Sequence, residues 1–120
     1  MRPELDVELS LDERGRVVAL LTKGKSRATA TSSSAAEAMA DLAAAFEDTA
    51  RDGCGECYWP EGGGDYRWLF RRTGPRVSVV VLWCVNPVTG WEHVFWGETG
   101  WEEFQQTLRG ALARQAISIR

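Results

Sequence analysis

The sequence predicts an α+β fold in which a mostly antiparallel sheet has two helices packed on one face. Three observations support this prediction. Two stretches alternate apolar and polar residues around turn residues, as β-hairpins do, and two others repeat apolar residues at helical spacing behind possible capping boxes. The resulting order, ββαβββα, groups strands into hairpins, which favours an antiparallel sheet. At 120 residues without a linker or repeat, residues 1–120 are predicted to form a single domain.

The first predicted hairpin occupies the N-terminal quarter of the chain. Leucine and valine alternate with acidic or polar residues over 5–11, a turn follows at Asp12-Glu13-Arg14-Gly15, and the second strand runs over 17–22. The next segment, KGKSRATATSSS, has no large apolar residue, so a loop is expected there.

The first predicted helix begins near Ser34, which stands three residues before Glu37 at capping-box spacing. Its apolar stripe consists of Met39, Leu42, Ala43, Phe46 and Ala50. Gly53 is a natural C-terminal cap. The stretch that begins at Asp52 and includes this glycine, DGCGECYWPEGGGDYRW, has five glycines and is predicted to be a loop.

The second predicted hairpin joins YRWLFRR to RVSVVVLWCV around Thr73-Gly74-Pro75. Whether the turn has two or four residues, opposing positions sum to an odd number, and opposing residues share a face of the sheet. One face is then almost wholly apolar, and we expect it to form the core: Tyr66, Trp68, Phe70, Val77, Val79, Val81 and Trp83.

A fifth strand over 91–97 and a second helix complete the prediction. The connection Asn86-Pro87-Val88-Thr89-Gly90 precedes the strand, whose register the sequence leaves open. Thr99 and Glu102 have capping-box spacing, and apolar residues follow at helical intervals, among them Phe104 and Leu108.

Composition argues against several classes of protein. The formal net charge of −3 argues against a dedicated nucleic-acid binder. No apolar run is long enough for a signal peptide or a membrane span, so we expect a cytoplasmic protein without a membrane partner. Three cysteines, an odd number, do not indicate a disulfide framework.

Cys54 and Cys57 have the C-x-x-C spacing of a zinc knuckle, and Cys84 and His93 could supply the two further ligands that zinc needs. If the last hairpin closes on 87–90, Cys84 lies opposite His93. If it closes on 86–90, Cys84 faces Glu92 and His93 turns away. A small zinc-binding protein using these four residues is therefore the alternative function, although we prefer free thiols and no cofactor.

A thiol-based redox protein is a further alternative. Redox enzymes place C-x-x-C at a helix N-terminus, where the dipole lowers the thiol pKa, whereas Cys54 follows a helix C-terminus. The chain also has no catalytic triad, phosphate-binding loop or separated pair of catalytic acids. We therefore predict a protein that is not an enzyme.

The second face of the middle hairpin is the predicted functional surface. Its apolar centre is bordered by arginines, and Phe95 or Trp96 of the next strand joins it; the predicted partner-binding residues are Arg67, Leu69, Arg71, Arg76, Val80, Leu82 and Trp96. If both helices cover the core face, this second face stays in water, and we expect it to bind a protein partner or a second copy. The alternative is that the C-terminal helix covers it.

The block DYRWLFRRTGPRVSVVVLW, the aromatic strand after it and the helix in GETGWEEFQQTLRGAL resemble the C-terminal half of small uncharacterised α+β proteins of soil bacteria. Some of these families are suspected immunity proteins, which neutralise secreted toxins. The resemblance covers little more than half of the chain and implies protein binding, with no functional residue carried over.

Overall fold

The computed structural model describes residues 4–85, 88 and 90–119, and within them the order of elements is βββαββββα. The elements are β1 (Leu5–Leu11), β2 (Val17–Lys23), β3 (Ser26–Ser32), α1 (Ala35–Asp52), β4 (Cys54–Glu61), β5 (Gly64–Thr73), β6 (Arg76–Cys84), β7 (Trp91–Gly100) and α2 (Trp101–Ile119). The strands form two antiparallel sheets, with the orders β1-β2-β3 and β4-β5-β6-β7. The predicted α+β class is confirmed, with two more strands than the sequence indicated.

The three-stranded sheet contains the first of these extra strands. The first hairpin is confirmed, since Leu5 pairs with Lys23 and Leu11 with Val17. The predicted loop KGKSRATATSSS is wrong, because β3 forms there and pairs with β2 along its whole length. Its buried residues are Ala30 and Ser32, and such small side chains leave no apolar alternation for sequence analysis to detect.

The four-stranded sheet contains the second extra strand. The odd-sum register of β5 and β6 is confirmed, since Trp68 lies opposite Val81, and the strands extend to a turn at Gly74-Pro75. The loop predicted after α1 is wrong, because β4 occupies it and pairs with β5. Gly62 and Gly63, both with positive φ, make the tight turn between these strands.

One core joins both sheets and both helices. It lies on the Trp68 face of the four-stranded sheet, where Phe46 of α1 stacks on Trp101 of α2 at a ring-centroid distance of 5.5 Å. Phe104 of α2 contacts Phe70 of β5 at 5.6 Å. The apolar side chains of β1 and β2 complete the same cluster. Both helices therefore pack against the face that the sequence predicted.

The helix ends differ in part from the prediction. Gly53 caps α1 in the left-handed conformation and its N–H donates to the Thr49 carbonyl, as expected. Ser34 occupies the N-cap position but makes no side-chain capping hydrogen bond. The hydroxyl of Thr99 donates to Glu103 at 3.4 Å, one residue beyond the predicted box partner. Neither helix, over its described part, has an apolar run that would cross a bilayer.

Phe46→Ala and Leu108→Ala should each lower the free energy of unfolding by about 2–5 kcal/mol, because truncating a buried side chain leaves a cavity. Phe46 is 1% and Leu108 0% exposed, so water has little access to the cavity and does not reduce the loss of stability. Urea denaturation monitored by far-UV circular dichroism measures both free energies of unfolding. Losses below half a kcal/mol in both variants would mean that the helices do not pack on this core.

Candidate functional site

The candidate site is the side of the four-stranded sheet that faces away from both helices, here called the outer face. Strand pairing assigns its positions: Cys54, Glu56, Tyr58 and Pro60 of β4; Asp65, Arg67, Leu69 and Arg71 of β5; Arg76, Ser78, Val80, Leu82 and Cys84 of β6; Trp91, His93, Trp96 and Glu98 of β7. All seven residues predicted to bind a partner are among them. The alternative in which the C-terminal helix covers this face is wrong, because α2 contacts Phe70 on the opposite side.

The centre of the outer face is apolar and partly accessible. Leu69 lies opposite Val80, and Val80 lies opposite Trp96, so the register brings these predicted residues into one row. Leu69, Val80 and Leu82 are half-buried, whereas Trp96 is 52% exposed. Trp96 is therefore the exposed apolar side chain of this row, and its aliphatic neighbours are partly covered.

The described large hydrophobic side chains that are exposed all lie on this face or beside it. Tyr58 is 44% and Trp91 39% exposed, and both belong to the outer face together with Trp96. Val85 and Val88 follow β6 in the connection to β7. Sequence analysis missed Tyr58 because it lies in the stretch predicted as loop. A strand assigned there, joined to β5 by a two-residue turn at Gly62-Gly63, would have placed it opposite Arg67.

Arg67 is held at the centre of an aromatic and acidic cluster. Its Nη2 and Nε donate to Glu56 Oε2 at 2.6 and 3.0 Å. Its guanidinium carbon lies 5.7 Å from the ring centroids of both Tyr58 and Trp91, and the two rings are 6.2 Å apart. The hydrogen bond to Glu56 raises the pKa of Arg67, so the cation stays charged. These contacts bring two exposed rings and one cation into a single cluster on the outer face.

The other two predicted arginines differ in their partners. Arg76 donates to Glu4 at 3.1 Å and to Glu98 at 3.2 Å, and the hydrogen bond from Arg76 lowers the pKa of Glu4. Arg71, at the same end of the outer face, is exposed, and within the described residues no ion pair involves it. The border of the surface is therefore charged, but most of its positive charge is neutralised locally.

A cleft of about 590 Å³ opens at the other end of the outer face. Its lining comprises Ser33, Tyr58, Pro60, Glu61, Gly62, Gly63, Gly64, Asp65, Cys84, Val85, Gly90 and Trp91. Of these described residues, the charged ones are Glu61 and Asp65. The cleft thus combines two aromatic rings with two carboxylates.

A second cleft, of about 880 Å³, lies beside Trp96 against the three-stranded sheet. Its lining carries charges of both signs: Glu4, Asp6 and Glu8 from β1 and the residue before it, and Lys23, Lys25 and Arg27 from the β2–β3 hairpin. The Nζ of Lys23 lies 5.2 Å from the Trp96 ring centroid and donates to the Glu98 carbonyl at 3.3 Å. This contact orients the exposed indole at the edge of the outer face.

The two cysteines of the C-x-x-C motif lie on opposite faces of β4. Cys54 is exposed on the outer face, and Cys57 is buried in the core. Three residues of extended strand also separate their backbones by about 10 Å, which is too far for a disulfide. Burial, with Asp41 and Glu56 nearby, raises the pKa of the Cys57 thiol to about 12. The motif therefore brings together neither a zinc-binding pair nor a redox dithiol.

At Cys84 and His93, strands β6 and β7 pair in neither of the two registers considered from the sequence. A register shift between Val81 and Leu82 places His93 opposite Leu82 and Trp91 opposite Cys84. Of the connection predicted over 86–90, Asn86, Pro87 and Thr89 lie outside the described residues. Within residues 4–85, 88 and 90–119, no three His, Cys, Asp or Glu side chains come close enough to hold one metal ion.

Comparison of the chain with protein-family models, with curated proteins and with solved structures found no match.

Proposed function

We propose that this protein acts by binding another protein through the outer face of its four-stranded sheet and performs no chemistry of its own. The observation that supports the proposal is the gathering of three exposed aromatic side chains, Tyr58, Trp91 and Trp96, on a sheet face that neither helix covers. Isolated exposed apolar residues are common on monomers, but a group of them on one face indicates an interaction surface.

The charges on this face favour a protein partner over a nucleic acid. Arg67 is paired with Glu56, and Arg76 is paired with Glu4 and Glu98. A nucleic-acid interface needs arginines available to phosphates, and the formal net charge of the chain is −3. Tryptophan, tyrosine and arginine are also the residue types most enriched among the strong contacts of protein interfaces. A toxin is the partner that the resemblance to suspected immunity proteins implies.

Trp96→Glu should weaken partner binding by at least about 30-fold while leaving the fold intact. The expected loss corresponds to a strong interface contact of about 2 kcal/mol. Because Trp96 is 52% exposed, its replacement should change the free energy of unfolding by less than about 1 kcal/mol. Binding is measured by calorimetry with the captured partner, and folding by urea denaturation. A folded variant that binds like the wild type would contradict the proposal.

The partner is best captured by site-specific photo-cross-linking in cells that produce the protein. Benzoylphenylalanine at position 96 keeps an aromatic side chain on the outer face, and the same probe at Glu47, exposed on α1, is the matched control. We expect a defined adduct from position 96 and none from position 47. Its mass separates a second copy of the 13.3 kDa chain from a different protein. No adduct at 96, or equal adducts at both positions, would contradict the proposal.

A further inference from the structure

We infer that the cleft between Tyr58, Trp91 and the β4–β5 turn receives an arginine side chain of the partner protein. This inference rests on the proposed function and adds the chemistry of the residue that the partner presents. The cleft continues the outer face, because Tyr58, Asp65 and Trp91 belong to both.

The negative charge of the cleft favours a cationic side chain from the partner. Its two described charged residues are both carboxylates, Glu61 and Asp65. Glu61 Oε2 is buried without a hydrogen bond, and its nearest cation is Arg16, whose Nη1 lies 3.5 Å away. In the described part of the chain, Asp65 forms no ion pair. Covering this end of the face with a partner would strip water from the half-buried carboxylate of Asp65, and a cation from the partner would offset that cost.

The aromatic walls favour a guanidinium. The protein's own Arg67 lies 5.7 Å from each ring, so both rings already contact one planar cation, and a second guanidinium would approach them from the cleft. Each ring also contributes to the lining of the cleft. A guanidinium stacks on aromatic rings and binds a carboxylate through two parallel hydrogen bonds, whereas the ammonium of lysine is a compact point charge.

The β4–β5 turn leaves the rim of the cleft open. A side-chain carbon placed on Gly62 or Gly63 would meet no other atom within 4 Å, so the rim is open. The volume of about 590 Å³ lies within the usual range of roughly 300–1,000 Å³ for ligand sites.

The experiment is an NMR titration of the full chain with three blocked tripeptides, acetyl-Gly-Arg-Gly-amide and its lysine and citrulline counterparts. Citrulline has the shape of arginine without the charge. We expect saturable shifts of the Trp91 indole N–H and the Gly62–Gly64 amides with a millimolar Kd for the arginine peptide. The citrulline peptide should bind at least tenfold more weakly, and the lysine peptide several-fold more weakly.

Two variants test which groups bind the peptide. Asp65→Asn should weaken arginine-peptide binding about tenfold, whereas Asp41→Asn, at an exposed carboxylate on α1, should leave it unchanged. Trp91→Leu should weaken it as well, and the dispersion of the amide spectrum reports whether each variant is folded. No saturable shift, equal binding of arginine and citrulline peptides, or an Asp65→Asn variant that binds like the wild type would each overturn the inference.

The result of the peptide titration can be distinguished from the result of the cross-linking experiment that tests the proposed function. Cross-linking from position 96 reports partner binding without using the cleft. A protein that is captured there but binds no arginine peptide would overturn this inference alone, and one that binds the peptide but yields no adduct at position 96 would contradict the proposed function.

Discussion

Trp59→Ala should lower the free energy of unfolding by about 3–5 kcal/mol, as expected for removal of a fully buried aromatic side chain. Trp59 is 0% exposed and packs on Trp68 at a ring-centroid distance of 5.0 Å. Its indole N–H donates to the Ala38 carbonyl at 2.9 Å, so one side chain joins β4 to α1. Urea denaturation monitored by tryptophan fluorescence and far-UV circular dichroism measures the change in the free energy of unfolding.

Two control variants separate the packing of Trp59 from its hydrogen bond and from aromatic truncation in general. Trp59→Phe keeps a large ring but removes the donor, and we expect it to cost less than Trp59→Ala because more of the cavity stays filled. Trp96→Ala removes the same side chain from an exposed position and should cost less than about 1 kcal/mol. If Trp59→Ala cost no more than Trp96→Ala, β4 would not be a core strand.

That strand is also the main part of the fold that sequence analysis did not predict. Cys54–Glu61 has the turn-forming composition of a loop, with a glycine between its cysteines and a proline near its end. Pro60 is compatible with the strand because β4 lies at the edge of its sheet, where a missing N–H need not break a ladder. Local composition indicated a loop, and pairing with β5 overrode it. The same applies to β3, whose buried positions are occupied by small residues.

The elements with strong periodicity were predictable. Both helices and the β5–β6 hairpin follow from their apolar spacing, and the odd-sum register alone placed Leu69 and Val80 on the outer face. The site could be predicted only as far as that hairpin extends. Tyr58 lies on β4, which the sequence analysis missed. Trp91 lies on the outer face because the register shift near Leu82 changes the pairing of β7. A bulge depends on contacts across strands, so no local sequence pattern fixes it.

Gly55→Ala should lower the free energy of unfolding by about 3 kcal/mol or more, because it obstructs the contact between α1 and β4. A side-chain carbon at Gly55 would collide with the backbone carbonyl of Ala45 and would lie 2.7 Å from Thr49 Oγ1. The Thr49 hydroxyl itself donates to that carbonyl at 2.8 Å and is fully buried, so it has no free space to rotate into. Relief requires moving the helix, and overpacking against backbone lies at the severe end of such costs.

Gly100→Ala is the matched control for this variant. Like Gly55, Gly100 has no positive φ, and an added side-chain carbon would come no closer than 4.0 Å to the Glu103 carboxyl carbon. We expect its free energy of unfolding to stay within about 1 kcal/mol of the wild type, since the substitution mainly restricts the unfolded chain. The difference between the two variants measures how closely α1 approaches β4. A Gly55→Ala protein as stable as Gly100→Ala would place the helix farther from the strand, and Trp59 could then not reach the Ala38 carbonyl.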